Sequence, residues 1–134
     1  MQGRITRGVV VAFHTAHKYL LLAHSPAQYQ TMGRLVSNAK QYAPTALAQR
    51  YGTLFMETLK VRATVRKHAN VLHHIMGHFS ERLESDQRAE LRDAIDDYNK
   101  GLTPLIVPLT LIKHYARLFN VTYILNQVYL NPIQ

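Results

Sequence analysis

The sequence predicts an all-α fold, a single-domain bundle of six or seven short helices. Pro and Gly fall at the ends of long segments in which apolar residues recur every three or four positions. No segment alternates apolar and polar residues between turn dipeptides, as the strands of a half-buried sheet would. The 134 residues, 47% of them apolar, can bury a core but are too few for two ordinary domains, so one domain is expected over residues 1–134.

The first two helices are predicted from apolar spacing and from a capping residue. The first spans Arg7–His24 and is apolar on most sides, which is typical of a central helix. Ser25 caps the second helix, which has Pro26 at its first position and Gln28 in a capping box. This second helix is expected to end near Tyr42.

The third and fourth helices are predicted from the apolar stripe on each. Pro44 opens the third, in which the apolar positions recur at intervals of three and four: Leu47, Tyr51, Leu54 and Phe55. The fourth follows the basic stretch at residues 60–68 and places these side chains on one face: Leu72, Ile75, Met76, Phe79 and Leu83.

The last three helices are marked by residues that begin or end a helix. Ser85 caps the fifth, and Gly101 stands where a left-handed residue ends it. Pro104 and Pro108 start or kink a sixth helix, and residues 121–130 form a short apolar seventh.

Charge is distributed unevenly along the chain. There are 16 Lys and Arg against 8 Asp and Glu, a net charge of +8. Residues 1–56 hold six basic residues and no acid, and seven of the eight acids lie within residues 81–97. This balance favours a polyanionic partner. Because the chain has no Cys, disulfides, thiolate metal sites and a Cys nucleophile are excluded within it.

Membrane association is not expected from the apolar runs. None approaches the roughly 18 residues needed to cross a bilayer. The run that follows Arg4 and Arg7 ends at His14 without a small-residue cleavage pattern, so it is not a signal peptide. A cytoplasmic protein is expected.

Motifs for catalysis or cofactor binding are missing from the sequence. There is no phosphate-binding glycine loop, no nucleophile elbow and no pair of carboxylates placed for acid–base work. The acids lie on the predicted fifth helix, where two i, i+4 pairs are expected on the surface, Glu84 with Arg88 and Arg92 with Asp96. We therefore expect no catalytic residue and no cofactor.

Polar side chains gather on one arc of the predicted fourth helix. Helical angles put His68 among the apolar residues, as a core histidine, and put on the opposite arc Arg66, Lys67, Asn70, His73, His74, Gly77 and His78. Gly77 would let another backbone approach closely, and a plain solvated surface is the alternative. His74 and His78 are spaced to reach one metal ion, but they lack an acidic or Cys ligand nearby, so no metal site is expected.

In residues 1–56, which hold no acid, Lys18 and several His and Tyr side chains are candidates for a functional role. His17 and His24 are interpreted as hydrogen-bonded structural histidines, for which the turn at residues 25–26 offers backbone partners, and His14 pairs with Lys18 on a separate strip. Lys18 should reach the surface or meet an anion. Four tyrosines could stack on unpaired bases, although each taken alone is better explained as core: Tyr19, Tyr29, Tyr42 and Tyr51.

Three separated motifs resemble a known family. In chain order they are HKYLLLAHSP at residues 17–26 with Tyr29 and GRLV at 33–36, then RKHANVLHHIMG at 66–77, then PLIVPLTL at 104–111. Over roughly residues 11–132 they resemble the bacterial YbgA-like domain, a domain of unknown function. Their number and order make the resemblance more specific than any one motif.

The resemblance implies a domain that occurs alone or fused behind a desulfidase that removes sulfur from 4-thiouridine in tRNA. In such fusions the desulfidase half carries the Cys-bound iron–sulfur cluster, and the YbgA-like half is thought to help bind tRNA. Because this chain has no Cys, only the binding role is carried over. We expect a non-catalytic module for tRNA or other structured RNA, accessory to a desulfidase in cis or in trans. The residues expected to contact RNA are Lys18, Arg34, Arg66, Lys67, Asn70, His73, His74 and Gly77.

Two other classes of function remain open at this point. One is a helical protein–protein adaptor that docks the desulfidase or another acidic partner. The other is a small His-dependent enzyme or metal protein.

Overall fold

A computed structural model describes residues 4–131 and confirms the all-α fold. Every regular element in this range is helical. The chain divides into two compact units between Ala63 and Thr64. Within residues 4–131, none of the helices is both long and apolar enough to span a bilayer.

The first unit is built from four α-helices and one 3-10 turn. Its core takes apolar side chains from each helix: Val10, Leu21, Met32, Leu47 and Tyr51, with Ala39 of the turn. The helices are α1 Arg7–Ala16, α2 Lys18–His24, α3 Pro26–Ser37 and α4 Pro44–Lys60, and the turn is Ala39–Gln41.

The predicted first helix is interrupted at His17, which separates α1 from α2. The Nδ1 atom of His17 lies 2.7 Å from the carbonyl oxygen of Phe13, one turn earlier. The same carbonyl accepts the His17 backbone N–H at 3.1 Å, so the side chain competes with the helical hydrogen bond. A side chain that bonds the preceding turn is a known cause of helix distortion.

The second predicted helix begins as expected and ends early. The Ser25 hydroxyl accepts the Gln28 backbone N–H at 3.1 Å, and Pro26 occupies the first turn. α3 ends at Ser37 rather than near Tyr42, because the chain tightens into the 3-10 turn. The Arg7 guanidinium holds this turn by donating to the Tyr42 carbonyl at 2.6 Å.

The second unit is built from four α-helices and two 3-10 turns. Its fully buried apolar side chains include Leu72, Ile75, Leu91, Ile95, Ile112 and Ile124. The helices are α5 Val65–Phe79, α6 Ser85–Asn99, α7 Ile106–Leu118 and α8 Thr122–Leu125, and the turns are Ser80–Arg82 and Val128–Leu130.

The boundaries of α6 and α7 follow the predicted signals with small shifts. The N-cap of α6 is Glu84 and not Ser85, because the Gln87 side chain reaches back to accept the Glu84 N–H at 2.8 Å. Gly101 follows α6 at φ +80°, the left-handed conformation expected for it. Pro108 lies in the first turn of α7, where its missing N–H costs no helical hydrogen bond, so it starts the helix without a kink.

The last predicted helix is only partly α-helical. α8 covers only Thr122–Leu125, and a 3-10 turn follows at Val128–Leu130. The Asn131 amide donates to the carbonyls of Leu125 at 2.8 Å and Gln127 at 3.1 Å. A side chain thus satisfies carbonyls that a longer helix would have bonded internally.

Neither predicted ion pair on α6 forms. Arg88 donates instead to the backbone carbonyls of Ser80, at 3.2 Å, and Leu83. The Asp96 carboxylate lies 3.9 Å from His73 of α5. Backbone carbonyls at the end of the preceding turn offer Arg88 a partner that costs less side-chain ordering than an exposed carboxylate.

Candidate nucleic-acid interface

Two cations occupy the first turn of α5. Thr64 is the N-cap, and its hydroxyl accepts the Lys67 backbone N–H at 3.2 Å. Arg66, which is exposed, and Lys67, which is half-buried, occupy the second and third helical positions, and the turn holds no acid. Positive side chains there oppose the helix dipole, which favours negative charge at this end. They are therefore poorly placed for helix stability and well placed to meet an anion.

The predicted polar arc continues along α5 from these cations. We call Arg66, Lys67, Asn70, His73, His74 and Gly77 the α5 arc. Its last four members are exposed and line one shallow depression. The opposite side of the helix is buried, with Leu72 and Ile75 fully covered. A Cβ added at Gly77 would meet no atom within 4 Å, so no other described helix packs on the arc there.

One member of the α5 arc lies beside an acid. His73 Nε2 is 3.9 Å from Asp96 Oδ1, and both side chains are about half exposed (47% and 48%). This is an ion pair only when His73 is protonated. Because a carboxylate next to His73 repels phosphate, the anion-binding capacity of the arc is concentrated at Arg66 and Lys67.

The structure does not bring all eight predicted contact residues onto one unit. Lys18 and Arg34 belong to the first unit, and the α5 arc belongs to the second. Arg34 is exposed on α3, where its Nη2 lies 3.3 Å from the Thr31 hydroxyl. Lys18 is half-buried at the start of α2, with its Nζ 5.5 Å from the centroid of the Tyr19 ring. The Tyr19 ring thus stabilises the half-buried ammonium group in part, through a cation–π contact.

The two units differ strongly in charge. Residues 4–63 hold eight Lys and Arg and one acid, Glu57, a net of +7. Residues 64–131 hold eight Lys and Arg and seven acids, a net of +1. The first unit therefore provides most of the field that would attract a polyanion.

Three histidines have the structural roles expected of them. His68 Nδ1 lies 2.6 Å from the Tyr129 hydroxyl, and its ring stacks on Tyr129. His17 is bonded to Phe13, and His24 Nδ1 lies 2.8 Å from the Val61 carbonyl oxygen. The carbonyls that His17 and His24 contact here belong to Phe13 and Val61 and not to the turn at residues 25–26. Among residues 4–131, no group of three or more His, Asp or Glu side chains is arranged to hold a metal ion.

The histidine that sequence reasoning misplaced is His14. It is 7% exposed, its Nδ1 lies 2.9 Å from the Tyr51 hydroxyl, and its ring stacks on Tyr29. Burial, with His17 as a second cause, lowers the pKa of His14 below its ordinary value. Burial likewise raises the pKa of Tyr51 well above its ordinary value. No pattern in the sequence pairs His14 with a residue 37 positions away.

The tyrosines of the first unit are mostly unavailable for base stacking. Tyr19 and Tyr51 are buried, at 3% and 4% exposure. Tyr29 lies against His14, and the Arg50 guanidinium lies over the Tyr42 ring at 5.1 Å. The core interpretation is confirmed for Tyr19 and Tyr51, so aromatic stacking by these two rings does not support RNA binding.

Comparison with known proteins matches the chain to a family model and to a protein of Escherichia coli. A family model described as "Protein of unknown function (DUF1722)" matches residues 18–133. "Uncharacterized protein YbgA" of Escherichia coli (strain K12) is 33% identical over 126 residues, which cover 93% of this chain and 75% of YbgA. No solved structure matches.

Proposed function

The chain belongs to the DUF1722 family of proteins of unknown function, and from this premise we propose that it is a non-catalytic RNA-binding module. Its α5 arc is the proposed contact surface. Arg66 and Lys67 would bind phosphates, and Asn70, His73 and His74 would hydrogen-bond sugar or base edges. Gly77 would let the RNA backbone approach the helix.

One observation carries this proposal: Arg66 and Lys67 occupy the first turn of α5, where cations weaken the helix. The four N-terminal N–H groups of a helix and its dipole both favour an anion at that end. A phosphate there would attract both the two side chains and the positive end of the dipole, and so would offset their unfavourable interaction. Lys18 and Arg34 would add phosphate contacts on the first unit, where the net charge is +7.

The proposed RNA is tRNA, and the proposed setting is tRNA modification beside a 4-thiouridine desulfidase in cis or in trans. The sequence resemblance supports this part of the proposal. The desulfidase would supply all of the chemistry, and this domain would hold the substrate.

Charge reversal at the start of α5 tests the contact without harming the fold. Glu at these two positions suits the helix dipole, and at position 67 it would complete a capping box with Thr64. The Arg66→Glu/Lys67→Glu variant should therefore fold normally and bind bulk tRNA at least about tenfold more weakly. The log–log slope of affinity against salt should lose about 1.4 in magnitude, which is 0.7 for each single-stranded phosphate contact.

A matched control changes the net charge of the second unit by the same amount. Lys100 and Arg117 are exposed and lie outside the α5 arc, so Lys100→Glu/Arg117→Glu should affect tRNA binding much less. Binding can be followed by fluorescence anisotropy at several salt concentrations. A flat salt response of the parent protein, or equal loss in both double variants, would contradict a localised RNA contact on α5.

A further inference from the structure

An apolar groove runs between α1 and α4 of the first unit. Its floor and walls are formed by Ile5, Val9 and Phe13 on one side and by Ala48, Gly52 and Phe55 on the other. Three of these side chains are unusually exposed for their type: Ile5 at 48%, Val9 at 54% and Phe13 at 39%. Exposed apolar side chains that are contiguous, and not scattered, mark an interaction site.

The groove suits a helix, because an apolar groove between two helices is a recurring seat for an amphipathic partner helix. Val9 and Phe13 lie one turn apart on α1, and Ile5 lies in the non-helical segment before the N-cap Thr6, so the three side chains form a stripe along one wall of the groove. A Cβ at Gly52 would meet nothing within 4 Å, which leaves room in the groove for a side chain of a partner. The Phe13 ring packs against the ring of Phe55 on α4, with ring centroids 5.1 Å apart, and this contact holds Phe13 in position.

Beyond the groove, the outer side of α4 is more polar and carries one further exposed apolar side chain. A second depression shares Ala48 and Gly52 with the groove and adds one apolar side chain, Met56, which is 57% exposed. Its other lining residues are polar: Gln49, Thr53, Glu57 and Lys60. Arg4 precedes Ile5 in the sequence. Glu57, also in the second depression, is the only acid among residues 4–63. The apolar surface is thus part of a unit with a net charge of +7.

We propose that this groove docks an amphipathic helix of a partner protein, with an apolar stripe that fills the groove and acidic residues on its flanks. Charge complementarity selects this occupant, because a partner with Asp and Glu gains from the field of the first unit. The recognition would use apolar anchors spaced three and four residues apart in the partner helix.

A second copy of the chain fits less well. Two first units brought face to face would each carry a charge of +7, and like charges oppose such a contact. The acidic helix α6 of another copy has the right charge, but its apolar residues Leu91, Ile95 and Tyr98 are buried in its own core. They are not available to fill a groove elsewhere.

RNA also fits less well in the groove itself. The lining offers almost no hydrogen-bonding group for sugars or bases, since Tyr51 is 4% exposed and bonded to His14. One face of the Phe13 ring is already covered by His17, with ring centroids 3.8 Å apart. The groove is therefore separate in chemistry from the proposed RNA contact on α5.

Selection from a displayed library of random helical peptides, with the whole chain as bait, tests the proposal. The enriched peptides should carry apolar residues at intervals of three and four together with a net negative charge. An enriched peptide should bind Val9→Glu and Gly52→Leu at least tenfold more weakly than the parent protein. Gly52→Ala, which leaves most of the groove open, should bind within threefold of the parent.

The matched control is Leu118→Glu, which places the same charge at another exposed apolar position, on α7. It should bind the peptide as the parent does. Circular dichroism and thermal unfolding check that each variant folds. If Val9→Glu does not fold, Gly52→Leu decides, because the space at Gly52 is open.

Several results would overturn the proposal. These are no enrichment, enriched peptides that are neutral or basic, and binding that is equal in parent and groove variants. A dimer of the parent in sedimentation that Val9→Glu dissociates would assign the groove to a second copy. Loss of tRNA binding in Val9→Glu would assign it to RNA. The charge reversal of Arg66 and Lys67 should leave peptide binding unchanged, so this proposal and the proposed RNA contact can fail separately.

Discussion

Two glycines of the second unit should respond in opposite directions to the same substitution. Gly77 lies inside α5, whereas Gly101 follows α6 with φ +80°. A Cβ added at either position would meet no atom within 4 Å. Since neither site is crowded, backbone conformation alone separates them.

The expected magnitudes follow from that conformation. Gly77→Ala should stabilise the protein by about 0.5–1 kcal/mol, because alanine restricts the unfolded chain and favours the helix. At Gly101, alanine would have to adopt the left-handed conformation, at a cost of about 1–2 kcal/mol. The restricted unfolded chain offsets part of this cost, so Gly101→Ala should destabilise by about 1 kcal/mol. The two variants should therefore differ by about 2 kcal/mol.

Urea unfolding followed by far-ultraviolet circular dichroism measures both changes. If the urea midpoint moves in the same direction in Gly77→Ala and in Gly101→Ala, the backbone conformations assigned to the two glycines are refuted. Gly77→Leu extends the test to function, because its side chain also enters open space and should not destabilise the fold. If Gly77→Leu unfolds like the parent and still binds tRNA like the parent, RNA does not approach Gly77.

Two further predictions concern buried hydrogen bonds. Because burial lowers the folded-state pKa of His14 below 6.5, the folded protein binds this proton less readily than the unfolded chain. His14 should therefore not affect the free energy of unfolding above about pH 6.5, but it should lower that free energy as the pH drops below this value. The His14→Gln variant should lose less stability over the same pH range. If the urea midpoints of the parent and the variant have the same pH dependence, the prediction is contradicted. Tyr129→Phe removes the 2.6 Å contact with His68 and should destabilise by about 1 kcal/mol, whereas an unchanged urea midpoint would show that the contact contributes nothing.

Features that depend only on residues close together in the sequence could be predicted. The start of α3 at Ser25 and Pro26 and the left-handed Gly101 were predicted and are confirmed. A cap or a helical stripe involves atoms within about one turn of the chain, so the local sequence contains the information. The shift of the α6 cap from Ser85 to Glu84 shows the precision of such signals, which is about one residue.

The candidate site was predictable only as far as it lies on one helix. The α5 arc could be drawn from helical angles, and the structure leaves it exposed except at the half-buried Lys67. The nearness of Asp96 to His73 could not be predicted, because it depends on how α6 packs on α5. The placement of Lys18 and Arg34 on a different unit likewise has no local signal.

The sequence by itself determined the helical class, the starts of α3 and α4 and the polar arc of α5. Tertiary packing decided which side chains are buried and which apolar side chains stay exposed. His14 meets Tyr51 across 37 residues and His68 meets Tyr129 across 61, and the stripe from Ile5 to Phe13 became a groove only because α4 lies beside it. The physical reason is that helical periodicity tells which residues share a face, but not whether another helix will cover that face.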